Sequence, residues 1–184
     1  MKKIMFNDRY GLTRAALKRQ KTVTRRIMNR QPDPDDIAYM EPKDYPCQPP
    51  YKVGEIVAVA QRYQDIFDYS NCVNPYDWED DDKPSGWTNK MFTKAELMPH
   101  QIRITSVRPE RLQDITEEDC LKEGLEWQHG ANMFYVNYNH TNNSRELLGD
   151  TPREAFASLI DKISGRGTWE RNPFVWRIEF KLVK

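Results

Sequence analysis

The chain contains few of the residues that build metal centres and disulfide frameworks. Only three cysteines and three histidines occur among its 184 residues, and no CxxC pair is present. None of the histidines lies at ligand spacing from a cysteine or another histidine, so the sequence does not predict a zinc site. An odd number of widely spaced cysteines is typical of free thiols in a reducing compartment. We therefore expect a cytoplasmic protein without a metal ion, and nothing in the sequence indicates a cofactor.

A charge excess of either sign and long apolar runs are absent as well. Lysine plus arginine and aspartate plus glutamate both total 28, which gives a formal net charge of zero. Domains that coat nucleic acid through bulk charge are usually basic, so contact with RNA would have to be local. The first six residues carry charge without a long apolar run, which is not the pattern of a signal peptide or membrane span. We expect no membrane partner, and the sequence leaves the oligomeric state open.

Short segments of regular secondary structure alternate with three irregular stretches. Periodicity and end signals predict the order β, α, β, β, β, α, α, β, with helices beginning near Asp8, Thr116 and Thr151. The expected strands lie at 4–6, 22–27, 56–60, 100–107 and 174–183. Proline-rich, acidic and asparagine-rich sequence fills three stretches that we interpret as loop insertions, near 28–50, 64–98 and 126–150. Residues 1–184 are thus expected to form one small α+β domain or mixed β-barrel.

Residues 21–26 combine three cations and two hydroxyls in six positions, Lys-Thr-Val-Thr-Arg-Arg. Neighbouring positive charge lowers the pKa of a lysine, so Lys21 could serve as a base for a nearby hydroxyl. The same residues could bind a phosphate, because arginine and lysine supply fork-shaped and point-like donors. A solvated basic edge between a helix and a strand would also explain the pattern. The residues alone leave these three interpretations open.

The helix that leads into Lys21-Thr22-x-Thr24-x-Arg26 resembles the ASCH family of PUA-like β-barrel domains, whose signature is a Gly-x-Lys turn followed by a polar residue and an arginine. Three further segments agree with the family in order. Residues 51–57 are similar to its core turn and strand, and residues 112–124 to its L-x-x-I-T-E-E helix. Residues 169–180 are similar to a closing strand that is common in phage and prophage members. Together they cover roughly half of the chain. Arg19 replaces the family's glycine, so this turn must differ or accept backbone strain.

The resemblance implies a single small mixed β-barrel of about five to six strands with flanking helices and long insertions. Some small ASCH proteins are amidohydrolases that remove the acetyl group from N(4)-acetylcytidine, using a lysine, a threonine and a glutamate. Carried over by position, these catalytic residues are Lys21, Thr24 and Glu123. In the implied reaction Lys21 takes the Thr24 proton and the hydroxyl attacks the acyl carbonyl. Glu123 would hold the amine or shuttle a proton, and Arg26 could stabilise the oxyanion.

PUA-like barrels also include non-catalytic modules that bind RNA or a modified base. In such a module Arg25 and Arg26 would contact phosphates, while Trp87 and Trp169 would stack on a base. Trp176 is better explained by core packing, since its strand closes the domain. A third alternative is a phage accessory protein whose insertions bind a host partner. The sequence therefore predicts a nucleoside or RNA ligand and leaves open whether the protein is an enzyme.

Overall fold

The computed structural model describes residues 1–33, 40–41, 44–67, 83–138 and 144–184. Parts of the three expected insertions, together with Cys72, lie outside these ranges. The strands among the described residues are β1 Lys3–Ile4, β2 Val23–Ile27, β3 Ile56–Val59, β4 Gln101–Arg111, β5 Glu126–Gln128, β6 Met133–Tyr138, β7 Ser144–Gly149 and β8 Phe174–Leu182. The described α-helices are α1 Leu12–Leu17, α2 Tyr63–Ile66, α3 Glu117–Lys122, α4 Pro152–Ser164 and α5 Thr168–Arg171.

Five of the strands form one mixed sheet in the order β1-β3-β4-β8-β2. β1 runs parallel to β3, and the other neighbouring strands are antiparallel. β8 lies between β4 and β2, where it pairs Ile178 with Thr24 and Trp176 with Arg26. Its hydrophobic run suits this interior position, since Val175 and Ile178 are fully buried. The strand that comes last in sequence therefore holds the cationic residues of β2 in place.

A second, three-stranded antiparallel sheet has the order β5-β6-β7. The expectation of an irregular insertion over 126–150 was therefore wrong for the described part of this segment. Trp127 lies opposite Phe134 on β5 and β6, with the ring centroids 4.7 Å apart, and Tyr135 and Val136 are buried. Cross-strand aromatic contacts of this kind stabilise a strand pair, although the asparagine-rich composition suggested a loop.

The ends of the two central helices follow the signals in the sequence. Thr151 and Glu154 form the predicted capping box of α4, with Pro152 in its first turn. At the start of α3, the Thr116 hydroxyl accepts a hydrogen bond of 3.2 Å from the Asp119 N–H, as predicted. α4 packs against β7 and α3. This packing fixes α3, which is followed directly by one of the predicted site residues.

The architecture is a mixed α+β fold with two sheets. Eight described strands exceed the expected five to six because of the β5–β7 sheet. A closed barrel is not detected among the described strands, and β1 and β2 form the two edges of the main sheet. Trp176 is buried, which confirms its interpretation as a core residue. None of the helices in the described ranges combines the length and the apolar character needed to cross a bilayer.

Candidate functional site

The turn between α1 and β2 sets the position of Lys21. Arg19 adopts a left-handed conformation with φ 63°, and the Gln20 and Lys21 N–H groups donate to the Ala15 carbonyl at 2.9 and 3.1 Å. Arg19 thus accepts a strained conformation that a glycine would adopt freely. Lys21 precedes β2 whereas Thr24 lies within it. The three-residue spacing therefore does not send the two side chains to opposite faces of one strand.

Glu123 reaches the same place from the C-terminal end of α3. The next residue, Gly124, has φ 102°, so the chain leaves the helix in a conformation that favours glycine. A Cβ atom at Gly124 would lie 3.3 Å from the Ala15 Cβ and 3.5 Å from the Lys21 Cβ. The end of α3 therefore packs closely against α1, and two segments remote in sequence meet beside Lys21.

The Lys21 side chain is almost completely buried, with 1% of the residue's surface exposed. Its ammonium donates to the carbonyl oxygens of Val23 at 2.8 Å and Glu123 at 3.0 Å, and also to Glu123 Oε2. Burial lowers the pKa of Lys21 below its ordinary value of 10.5, because desolvation penalises the charged form. Glu123 opposes this lowering, whereas the positive charges of Arg26 and Arg25 reinforce it. The lysine is thus fixed in place and releases its proton more readily than an exposed lysine.

Arg25 is buried beside Glu123 and is held by three carboxylates. It donates to Glu110 Oε1 at 2.8 Å, to Glu123 Oε1 at 3.1 Å and to Asp119 Oδ2 at 2.7 Å. Arg177 of β8 binds both oxygens of Asp119, at 2.6 and 2.9 Å. Hydrogen bonds from Arg177 and Arg25 hold the pKa of Asp119 well below its ordinary range. Arg25 therefore orients Glu123, and most of its donors are engaged within the protein.

Lys21, Thr24 and Glu123 line one cavity of about 360 Å³, hereafter the lysine cavity. Arg25 and Arg26 also line it, and much of the remaining lining is apolar: Phe6, Leu12, Phe156, Leu159, Ile160 and Ile163. Thr24 is buried, and its hydroxyl has no hydrogen-bond partner within the described part of the chain. The hydroxyl is therefore available to a ligand. A polar corner on an apolar cavity is typical of sites that bind small organic molecules.

Arg26 lies at the edge of the lysine cavity and bridges the two edges of the main sheet. Its guanidinium donates to the carbonyl of Met5, the residue that follows β1. Among the described residues it forms no ion pair with a carboxylate, in contrast to Arg25. A guanidinium carries five N–H donors. Arg26 therefore keeps donors that can reach a ligand.

The two tryptophans predicted to bind a ligand do not line the lysine cavity. Trp87 lines a separate cavity of about 570 Å³ together with Tyr63 and Phe92. Trp169 packs in α5 with its ring centroid 6.1 Å from that of Phe156. The structure therefore brings together the three predicted catalytic residues and both predicted arginines, but neither tryptophan.

Sequence reasoning missed the partners that hold the site. Glu110, Asp119 and Arg177 come from β4, α3 and β8, and only tertiary packing brings them together. Arg177 could have been identified from the sequence, because it is a charged residue within the mainly apolar run of β8, Phe174–Leu182. A charged residue buried in a central strand requires an opposite charge nearby, and here Asp119 supplies it.

No family model, curated protein or solved structure matches this chain. The chemistry of the site is therefore inferred from the side chains that line the lysine cavity. In the described ranges, no group of histidine, cysteine, aspartate and glutamate side chains is arranged to hold a metal ion. What the lysine cavity does offer is a buried amine with a lowered pKa and a hydroxyl that has no partner among the described residues. These are the groups that acyl transfer through a covalent intermediate requires.

Proposed function

We propose that this protein is an ASCH-type amidohydrolase that removes an acyl group from a modified nucleoside such as N(4)-acetylcytidine. The observation that carries the proposal is the convergence of Lys21, Thr24 and Glu123 on one cavity, although Glu123 lies 102 residues from Lys21. The resemblance to the ASCH family selects the same three residues. In this proposal the main sheet corresponds to the family's barrel, with the hydrogen bond from Arg26 to Met5 spanning its open side.

Lys21 acts as the base of the reaction. Its pKa is lowered toward physiological pH, so a larger fraction of the amine is neutral there than in an exposed lysine. The amine accepts the proton of the Thr24 hydroxyl while Thr24 Oγ1 forms a bond to the acyl carbonyl carbon. Glu123 holds the amine in place through its contact with Nζ and stabilises the ammonium that forms. Arg26 donates to the carbonyl oxygen as negative charge develops there.

The amide bond breaks when the tetrahedral adduct collapses. The leaving nitrogen takes the proton from the Lys21 ammonium and departs as the exocyclic amine of the deacylated nucleoside, and the acyl group remains on Thr24 as an ester. A water molecule then gives a proton to Lys21 and attacks the ester. Collapse of this second adduct releases the carboxylic acid, and Thr24 Oγ1 takes the proton back from the Lys21 ammonium, which restores the hydroxyl and the neutral amine. Lys21 thus serves alternately as base and acid, which is most efficient when its pKa lies near the working pH.

The lining of the lysine cavity suits an acylated base. Phe156, Leu159 and Ile160 supply an apolar wall for a flat ring and its small acyl group. Lys21 and Thr24 are on the polar lining, where the amide must lie for attack. The volume of about 360 Å³ is large enough for a nucleoside-sized ligand, since ligand sites usually measure roughly 300–1,000 Å³.

Hydrolysis of N(4)-acetylcytidine, followed by chromatography of the released cytidine, tests the proposal. Thr24→Val keeps a β-branched side chain of similar shape but removes the hydroxyl, and we expect it to lower kcat by at least about 100-fold. Thr24→Ser retains a hydroxyl and should keep measurable turnover. Thr22→Val is the matched control, because Thr22 does not line the cavity, and it should retain the activity of the wild-type protein.

Two outcomes would contradict the proposal. Turnover by Thr24→Val equal to that of the wild type would reject Thr24 as the nucleophile. A folded wild-type protein that binds cytidine but hydrolyses no member of a panel of acylated nucleosides would favour the non-catalytic binding module instead.

A further inference from the structure

A second cavity adjoins the lysine cavity at Arg26. It has a volume of about 450 Å³ and shares three lining residues with the first cavity, namely Met5, Arg26 and Ile27. Lys3, Tyr51 and Trp176 belong to its remaining lining. Since Arg26 borders both cavities, a ligand that occupies both would pass its guanidinium.

The charged side chains that line the second cavity in the described part of the chain are both cations. Lys3 donates to the carbonyls of Met91 at 2.6 Å and Thr93 at 2.7 Å, and Arg26 donates to that of Met5. Neither forms an ion pair with a carboxylate among the described residues. Carbonyl oxygens satisfy the N–H donors without cancelling the charge, so the second cavity keeps a net positive charge.

The lysine cavity is different in this respect. Its two buried cations, Lys21 and Arg25, are each bound by carboxylates. The charge of Arg26 acts in both cavities: it helps to lower the pKa of Lys21 in the first, and in the second it opposes the rise that burial causes in the pKa of Tyr51. Of the cations that line the two cavities in the described ranges, Lys3 and Arg26 are therefore the two without a carboxylate partner, and both line the second cavity.

We infer that the second cavity is an anion subsite, which binds a phosphate attached to a nucleoside in the lysine cavity. The inference rests on the proposed function in placing a nucleoside beside Lys21. Arg26 supplies forked N–H donors that match phosphate oxygens, and Lys3 contributes charge. The phosphate belongs either to a mononucleotide or to an RNA chain, since both present the same oxygens to Arg26.

Equilibrium binding of ligands that lack an acyl group tests the subsite without depending on hydrolysis. Cytidine, cytidine 5′-monophosphate and a cytidine trinucleotide are titrated into the protein by calorimetry at one low salt concentration. We expect at least one phosphorylated ligand to bind at least about 10-fold more tightly than cytidine. Tighter binding of the mononucleotide alone identifies a nucleotide substrate, and tighter binding of the trinucleotide alone identifies RNA.

Variants of Arg26 assign any such preference to the subsite. Arg26→Gln should reduce the affinity ratio to about 1, and Arg26→Lys should retain part of it because the charge remains. Arg103→Gln is the matched control, since Arg103 is exposed and lines neither cavity. It should leave the ratio unchanged.

Equal affinity of the wild-type protein for all three ligands, or no binding of any of them, would overturn the inference. A ratio that Arg26→Gln and Arg26→Lys both leave unchanged would do the same. Failure of the proposed function is detected separately, by the absence of hydrolysis of N(4)-acetylcytidine. A protein that binds the mononucleotide through Arg26 but hydrolyses no acylated nucleoside would support the subsite and reject the amidohydrolase.

Discussion

The Lys21 ammonium contacts both the carboxylate and the main-chain carbonyl of Glu123, with 3.0 Å between Nζ and the carbonyl oxygen. One side chain thereby connects the end of α3 to the start of β2. The amine that we propose as the base is consequently also a structural link between two distant segments. Changes at either residue should therefore alter stability as well as turnover.

Lys21→Met should lower the free energy of unfolding by about 1 to 3 kcal/mol, because it leaves the Glu123 carboxylate and the buried carbonyl oxygens of Val23 and Glu123 without the N–H donors of Nζ. Unfolding in urea, followed by circular dichroism, measures the loss. The double variant Lys21→Met with Glu123→Met removes both charges. It should be more stable than the sum of the two single losses predicts, by about 1 to 3 kcal/mol. Strictly additive losses would mean that the two side chains do not interact in solution.

Lys21 should contribute stability that rises with pH, because its pKa is lowered in the folded protein. Between that lowered pKa and the ordinary value of 10.5, the unfolded chain binds a proton that the folded protein has released. The contribution of Lys21 to the free energy of unfolding should therefore increase as the pH rises through this window, and the full penalty of burying its charge should be present below it.

Urea unfolding at a series of pH values up to 10.5 measures this dependence. Lys21→Met should remove the contribution, whereas Lys181→Met, which replaces an exposed lysine on β8, should keep it. Identical pH slopes for the wild type and Lys21→Met would contradict the assignment.

Arg19→Gly should stabilise the protein by up to about 1 kcal/mol. Arg19 is exposed and has φ 63°, a conformation that costs a residue with a Cβ atom about 1 to 2 kcal/mol. Part of the gain is offset because glycine is more flexible in the unfolded chain. Arg14→Gly is the matched control, since the exposed Arg14 lies within α1 and should lose about 1 kcal/mol. Thermal unfolding of both variants should show shifts of opposite sign.

Gly124→Ala should destabilise the protein by more than about 1 kcal/mol, because it combines two costs. Its φ of 102° is unfavourable for alanine, and the added Cβ would lie 3.3 Å from the Ala15 Cβ and 3.4 Å from Leu12 Cδ2. Gly54→Ala provides the comparison, since Gly54 also has a positive φ but has open space around it. A smaller loss for Gly54→Ala than for Gly124→Ala would separate the close packing from the backbone strain; equal losses would show that packing adds nothing.

The parts of the fold that sequence predicted are those specified by neighbouring residues. The capping box at Thr151 and Glu154 and the Thr116 cap are local, and both appear where the pattern placed them. The turn at Arg19 and Lys21 is also local. The sequence predicted either a different turn or backbone strain at Arg19, and its φ of 63° shows the strain.

Other features depend on contacts between distant segments and left little trace in the sequence. The pairing of Trp127 with Phe134 lies in a segment whose composition resembles a loop. Arg177 contacts Asp119 only because β8 lies next to β4 and near α3. Trp87 and Trp169 were predicted to stack on a base because tryptophan often does so. The type of a residue does not specify which cavity its side chain lines, and neither tryptophan lines the lysine cavity.

The position of β8 also determines when the main sheet can be completed during synthesis of the chain. In the described sheet, β2 pairs with β8 alone, and β8 spans Phe174–Leu182. As the chain emerges from the ribosome, β2 therefore has no neighbouring strand until nearly 150 further residues have been made. If translation stops before β8, β2 has no strand partner in the main sheet. We therefore expect fragments that lack β8 to be non-functional and prone to pair with exposed strands of other chains.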